Sequence, residues 1–203
     1  MPGKRRRSSE ERRQQIVSVT LDLVAEYGVR GTTLARIAAV IGVTTPALYA
    51  HFSGRREILL AALQVLFEHR TEFHRQPAGG DALERLRDIA RGHTQLVETP
   101  DDRSMSALFE FIAAPQEEGL RETVGAMHLI LVEDIAEIVT RGQREGVIRE
   151  NADPEQTAWM IVSRAWAEDI TQLMGVRESW SEKRSNVMLD LILDAIAVVP
   201  VSG

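Results

Sequence analysis

Residues 33–52 read TLARIAAVIGVTTPALYAHF. Thr33 is a natural N-cap, and Leu34, Ile37, Ala38 and Ile41 follow at the i, i+3, i+4, i+7 spacing of one helical face. Gly42 stops that helix. Thr44 caps a second short one, whose first turn accepts Pro46 without losing a hydrogen bond. Two short helices meeting at a glycine turn make a helix-turn-helix, and Ile37, Ala38, Ile41, Val43, Leu48 and Phe52 can lock them against a preceding helix. The second helix leaves Thr44, Thr45, Pro46, Ala47, Tyr49 and His51 outside. Small hydroxyl and apolar groups of this kind reach base edges and thymine methyls, while Tyr49 and His51 can donate to phosphates. Helix N-termini at Thr33 and Ser53 add anion sites.

Helical periodicity continues on both sides, and no alternating strand pattern interrupts it. The spacing predicts a first helix from Glu10 to Tyr27, with Ile16, Val19, Leu23 and Tyr27 on one stripe, ended by Gly28 and Gly31. A long fourth helix runs from Arg55 to His74, turning Leu59, Leu63, Leu66 and Phe73 inward. After a break at Gln76–Gly80, further helices are predicted at 81–98, 103–113, 116–144, 154–174 and 182–198, with Asp153 capping the one that opens at Pro154. The chain therefore reads as a disordered basic tail (1–9), a helix-turn-helix domain (10–54) and an all-helical remainder (55–200).

Charge follows the same division. Residues 1–56 hold ten Lys/Arg against four acids, a net +6, whereas the whole chain carries −6, so residues 57–203 carry −12. A basic head on an acidic body calls for a polyanionic partner at the head alone. With no cysteine, disulfides, thiolate metal sites and cysteine nucleophiles are excluded. His69, His74, His93 and His128 show no i, i+4 pairing, so no metal site is expected, and no cofactor motif is visible. The most apolar tract, Val187 to Val201, is too short for a bilayer and contains Asp190 and Asp194. A cytoplasmic protein without a membrane partner is the expectation.

The run G-x-T-T-…-I-A-…-I-G-V-T-T-P-A-L-Y-A-H-F resembles the N-terminal domain of the TetR (tetracycline repressor-like) family over residues 10–60. The resemblance implies that Thr45, Pro46 and Ala47 enter the major groove of double-stranded operator DNA, and that Thr33, Thr44, Tyr49, His51 and Arg55 hold its backbone. Where the family commonly has Lys followed by Glu after the Tyr-x-His-Phe ending, this chain has Arg55-Arg56. The implied architecture is all-α: a three-helix helix-turn-helix domain joined by a long fourth helix to a C-terminal ligand-binding and dimerisation domain. The segment Arg141 to Arg149 (RGQREGVIR), followed by Asp153-Pro154, is similar to the family as well.

The last helix, VMLDLILDAIAVV over residues 187–199, is apolar on nearly every side and needs covering on two. One side can meet the chain's own core and the other a second copy, with Ala158, Ile161, Ala165, Leu189, Ile192 and Ile196 as candidate dimer contacts; a helix internal to a monomer is the alternative. Homodimerisation also follows from the resemblance, as does a cavity for a small, largely apolar ligand. Candidate ligand contacts are Met105, Phe109, Met127, Leu131 and Trp166, together with His93 and His128, which serve either as hydrogen-bonded core residues or to orient a polar group. No nucleophile motif, phosphate loop or metal spacing supports an enzyme. The function expected is a homodimeric repressor released from its operator by a ligand, with a ligand-independent or activating regulator of the same fold as the alternative.

Overall fold

Among the residues described by the computed structural model, 8–75, 79–98, 102–116 and 119–198, the chain forms nine α-helices and no strand. The helices are α1 (Ser9–Gly31), α2 (Leu34–Ile41), α3 (Thr45–Leu48), α4 (Arg55–Arg70), α5 (Ala82–Glu98), α6 (Asp102–Ile112), α7 (Leu120–Glu145), α8 (Pro154–Leu173) and α9 (Glu182–Ile196). The chain divides into two compact units: Met1–His69 with Asp101–Gly125, and Arg70–Pro100 with Ala126–Gly203. These boundaries differ from the sequence division at residue 54, because most of α4 and all of α6 group with the N-terminal helices.

In the first unit, Ser8 and Glu11 form a capping box that starts α1: the Ser8 hydroxyl accepts the Glu11 N–H at 3.1 Å, and the Glu11 carboxylate accepts the Ser8 N–H at 2.7 Å. Ser8 and Ser9 therefore belong to the helix start, which shortens the expected tail. Lys4 to Arg7 lie outside the described residues. Ile16, Val17, Thr20, Leu23 and Val24 are buried on α1, where each full aliphatic side chain contributes about 1.5–3 kcal/mol. Val19 is half-buried, and Tyr27 falls outside the predicted stripe, lying exposed with the Arg36 guanidinium 4.0 Å above its ring. Gly28 breaks the helix at φ 69°, ψ 172°. That left-handed φ, which side chains rarely adopt, is what requires glycine here. The partner helix is α6, which buries Met105, Ala107, Leu108 and Phe111 and ties Arg103 to Asp22 at 3.1 Å.

The second unit is built from α5, most of α7, α8 and α9 around a core that includes Leu86, Val132, Ile135, Val139, Ile148, Ile161, Val162, Leu189 and Leu193. Helix α4 stops at Arg70, earlier than predicted, and a 3-10 turn over Glu72–Arg75 takes up Phe73 and His74. Asp153 caps α8 as expected, accepting the Gln156 N–H at 2.9 Å ahead of Pro154. An isolated bridge pairs Ile148 with Ala197, fastening the turn after α7 to the end of α9. Among the described residues, no helix is long and apolar enough to cross a membrane.

Candidate nucleic-acid interface

The helix-turn-helix forms as the sequence directs. Thr33 caps α2 by accepting the Arg36 N–H at 3.2 Å. Gly42, at φ 71° and ψ 40°, closes the helix in the left-handed conformation, and Val43 donates back to the Ala38 carbonyl at 3.0 Å. Ile37, Ala38, Leu48 and Phe52 are buried, while Ile41 and Val43 are half-buried. Leu48, 1 % exposed, is the inward anchor of a helix only four residues long. That anchor sets which way the remaining side chains point.

Thr44, Pro46, Ala47 and Tyr49 are exposed, and Thr45 and His51 are half-buried. Tyr49 is 56 % exposed, a large surface for an aromatic ring in a small domain. The expected reading face is thus brought together on α3 and the turn after it. Its chemistry is hydroxyls, methyls, a phenol and an imidazole, with no carboxylate among these residues.

Arg55 has a different placement from the one expected of a phosphate contact. Its Nε donates to the Thr32 carbonyl at 2.7 Å and its Nη2 to the Val29 carbonyl. Two donors are committed to the C-terminal end of α1, where helix carbonyls run out of intrahelical donors. Arg55 therefore clamps the α1–α2 junction onto the start of α4.

Sequence reasoning missed two groups. Arg13 lies with its Cζ 4.0 Å from the Phe52 ring centroid and donates to the His51 carbonyl. In the second unit, α8 carries three buried ionisable side chains, Arg164, Glu168 and Asp169. Glu168 accepts from His93 Nδ1 at 2.8 Å, Thr94 at 2.8 Å and Arg164 at 3.0 Å, and Asp169 accepts from Arg70 at 2.7 Å. The Arg164–Glu168 i, i+4 spacing was the available signal.

His93 sits between the two carboxylates, its Nε2 3.3 Å from Asp169. Burial alone would lower its pKa, but hydrogen bonds and charge from Asp169 and Glu168 outweigh that and raise it. Glu168 is pulled down to about 2, because His93 and Arg164 override its own burial. His93 is thus buried with both ring nitrogens beside carboxylates. His128 differs, since burial lowers its pKa and its Nε2 accepts the Trp166 indole N–H at 3.3 Å. Trp159 and Trp166 flank it at ring distances of 5.6 and 5.5 Å. Met127 and Leu131 are half-buried on the same helix, α7. Met105 and Phe109, buried and half-buried, lie on α6 in the first unit.

The dimer candidates need correction. Ala158, Ile161, Leu189, Ile192 and Ile196 are buried in the core of their own chain, and Ala165 is half-buried. The exposed apolar positions are instead Met160, Ile170 and Met174 along α8 and its end, and Val187, Met188 and Leu191 on α9.

Comparison with known proteins agrees with this geometry. The family described as bacterial regulatory proteins, tetR family, matches residues 16–62. The uncharacterised HTH-type transcriptional regulator Rv2250c of Mycobacterium tuberculosis is 29 % identical over 150 residues, covering 73 % of this chain and 75 % of that protein. A crystal structure from Rhodococcus sp., described as that of a TetR-family transcriptional regulator, is 27 % identical with a TM-score of 0.70, covering 92 % of this chain and 96 % of the other. SmeT, the repressor of the Stenotrophomonas maltophilia multidrug efflux pump SmeDEF, shares the fold at a TM-score of 0.71 and 21 % identity, over 94 % and 93 % of the two chains.

Proposed function

The chain belongs to the TetR family of DNA-binding transcriptional regulators, and from that premise we propose that it is a cytoplasmic homodimeric repressor released from its operator by a small, largely apolar molecule. The observation that carries the reading is the exposed Pro46–Ala47–Tyr49 face with half-buried Thr45 beside it, held outward by buried Leu48 and Phe52. Thr45, Pro46 and Ala47 are the base-reading set, and Thr33, Thr44, Tyr49 and His51 the backbone contacts. Two such faces must stand about 34–36 Å apart to meet successive turns of B-DNA, which a single copy cannot supply. The exposed apolar residues of α8 and α9 support pairing through that part of the chain. SmeT's role as a repressor supports repression here.

His128, Trp159 and Trp166 on α7 and α8 support the ligand role, offering aromatic faces beside a neutral imidazole. A ligand releases DNA only through unequal affinity for two states, and about a 100-fold difference corresponds to roughly 2.7 kcal/mol. The test begins with a duplex selected by the protein from a random-sequence pool. Thr45→Ala should change which duplex is selected, and equal losses on every duplex would reject Thr45 as a base reader. Apolar compounds that bind the protein should weaken its hold on that duplex; an affinity indifferent to all of them would end the induction reading.

A further inference from the structure

Three elements meet at one side chain in the first unit. Arg13, on the second turn of α1, places its guanidinium 4.0 Å over the Phe52 ring, donates from Nη1 to the His51 carbonyl, and stands 3.7 Å from Glu57 Oε1. Glu57, in turn, accepts the Ser53 N–H at 2.6 Å, closing the turn that leads into α4. Ser9, one helical turn before Arg13, lies 3.4 Å from His51 Nδ1 through its hydroxyl. The segment so held, His51 to Ser53, follows Tyr49 after one residue, Ala50, and is the exit of the reading helix. Arg13 lies three residues before the stretch that matches the family, so the family match does not cover it.

We propose that Arg13 is a positioning residue for DNA recognition, fixing the orientation of α3 and of Tyr49 and His51 by stacking on Phe52 and bridging the His51 carbonyl to Glu57. This rests on the reading of α3 as the base-reading helix. A helix of four residues has a single buried anchor, Leu48, and one anchor leaves rotation about its own axis undetermined. The stacked ring and the captured carbonyl supply the second point. A guanidinium fits this task because its flat face covers the ring while its edge serves two acceptors; an ammonium serves one at a time. The Glu57 carboxyl is held below its ordinary value, first by the Ser53 backbone N–H and then by Arg13, so the bridge persists into mild acid.

The experiment compares the full-length protein with Arg13→Ala, Arg13→Lys and Glu57→Gln. Each is titrated onto the duplex selected by the wild type and onto a scrambled duplex of equal length and composition. Arg13→Lys should lose about tenfold in the ratio of selected to scrambled affinity, while its salt slope stays that of the wild type, because charge is kept and geometry is lost. Glu57→Gln should lose specificity in the same direction, and the two changes combined should cost less than their sum. Arg13→Lys carries the decision should Arg13→Ala fail to fold. If Arg13→Lys keeps the ratio and Arg13→Ala weakens both duplexes alike with a shallower slope, Arg13 touches phosphate and the proposal is overturned. Unchanged ratios with lowered melting temperatures make it a scaffold residue and overturn it equally. A wild type that selects no duplex removes the reading beneath the proposal, and the proposal with it.

Discussion

Arg55 occupies the position where a basic residue was expected to reach outward for a phosphate, and its Nε and Nη2 reach inward to Thr32 and Val29 instead. The two roles differ in what they predict. Were the guanidinium on a phosphate, alanine would weaken binding to every duplex and flatten the salt dependence by about one counterion. With the guanidinium as a clamp, alanine leaves two carbonyls without their charged donor. Charge-assisted bonds of this kind contribute about 1.5–3 kcal/mol each, reduced here by water reaching a half-buried site. Arg55→Ala should therefore lower stability by about 1–3 kcal/mol, a drop of several degrees in melting temperature for a chain of this size. Calorimetry and a salt titration on one sample decide the matter: a flattened slope with unchanged melting would restore the phosphate role. In the sequence an arginine looks the same in either role. Only the folded end of α1, where the Val29 and Thr32 carbonyls lie within its reach, shows that it turns inward.

At the scale of helices, neighbouring residues of α9 should behave oppositely. Leu191 is 66 % exposed and Ile192 is 6 % exposed. Leu191→Lys should split a dimer while leaving a folded monomer, whereas Ile192→Lys buries a charge in the second unit's core and should unfold it. Sedimentation and far-UV circular dichroism separate these outcomes, and a Leu191→Lys dimer of unchanged mass would remove α9 from the interface. The sequence could not choose between the two positions, since a helix with leucine, isoleucine and valine almost all round carries no marker of which side faces its own core. Where caps bound a periodic stripe the sequence was legible: Leu34, Ile37, Ala38 and Ile41, with Thr33 before them and Gly42 after, defined α2 to the residue. The inward turn of Leu48 on α3 was legible as well. The pairings of Arg13 with His51 and of His93 with Glu168 were not, because the partners stand 38 and 75 residues apart and no local period records such a pairing. Helix α6 lay beyond local reasoning too, as its apolar stripe gives its amphipathic face but not that it packs on α1.

Across the whole molecule, the buried charges of the second unit make stability depend on pH in a way a variant can dissect. His93 is faced by Glu168, Asp169 and Arg164 from α8, by Arg70 from the end of α4, and by Phe73 and His74 from the 3-10 turn, while Ser185 of α9 holds Arg164. Its pKa in the folded chain is raised above 6.5, so the folded state binds a proton that the unfolded state gives up. That stabilisation is complete below pH 6.5 and is lost as pH rises through the folded value. His74 has the opposite sign. Burial, with Arg85 and His93 nearby, depresses it to about 4, so from pH 6.5 down to 4 the unfolded state binds the extra proton and stability falls with acid. Glu168 and Asp169, both depressed, add to the loss at the acid end, Glu168 giving way only as pH falls towards about 2. Stability should therefore peak near pH 6.5 and decline on both sides. In His93→Gln the alkaline decline should vanish while the acid limb, set by His74 and the carboxylates, persists at lower overall stability. Urea titrations from about pH 4 to 9 on both proteins test this, and an alkaline limb that survives in His93→Gln would show that the imidazole is not held protonated between its two carboxylates.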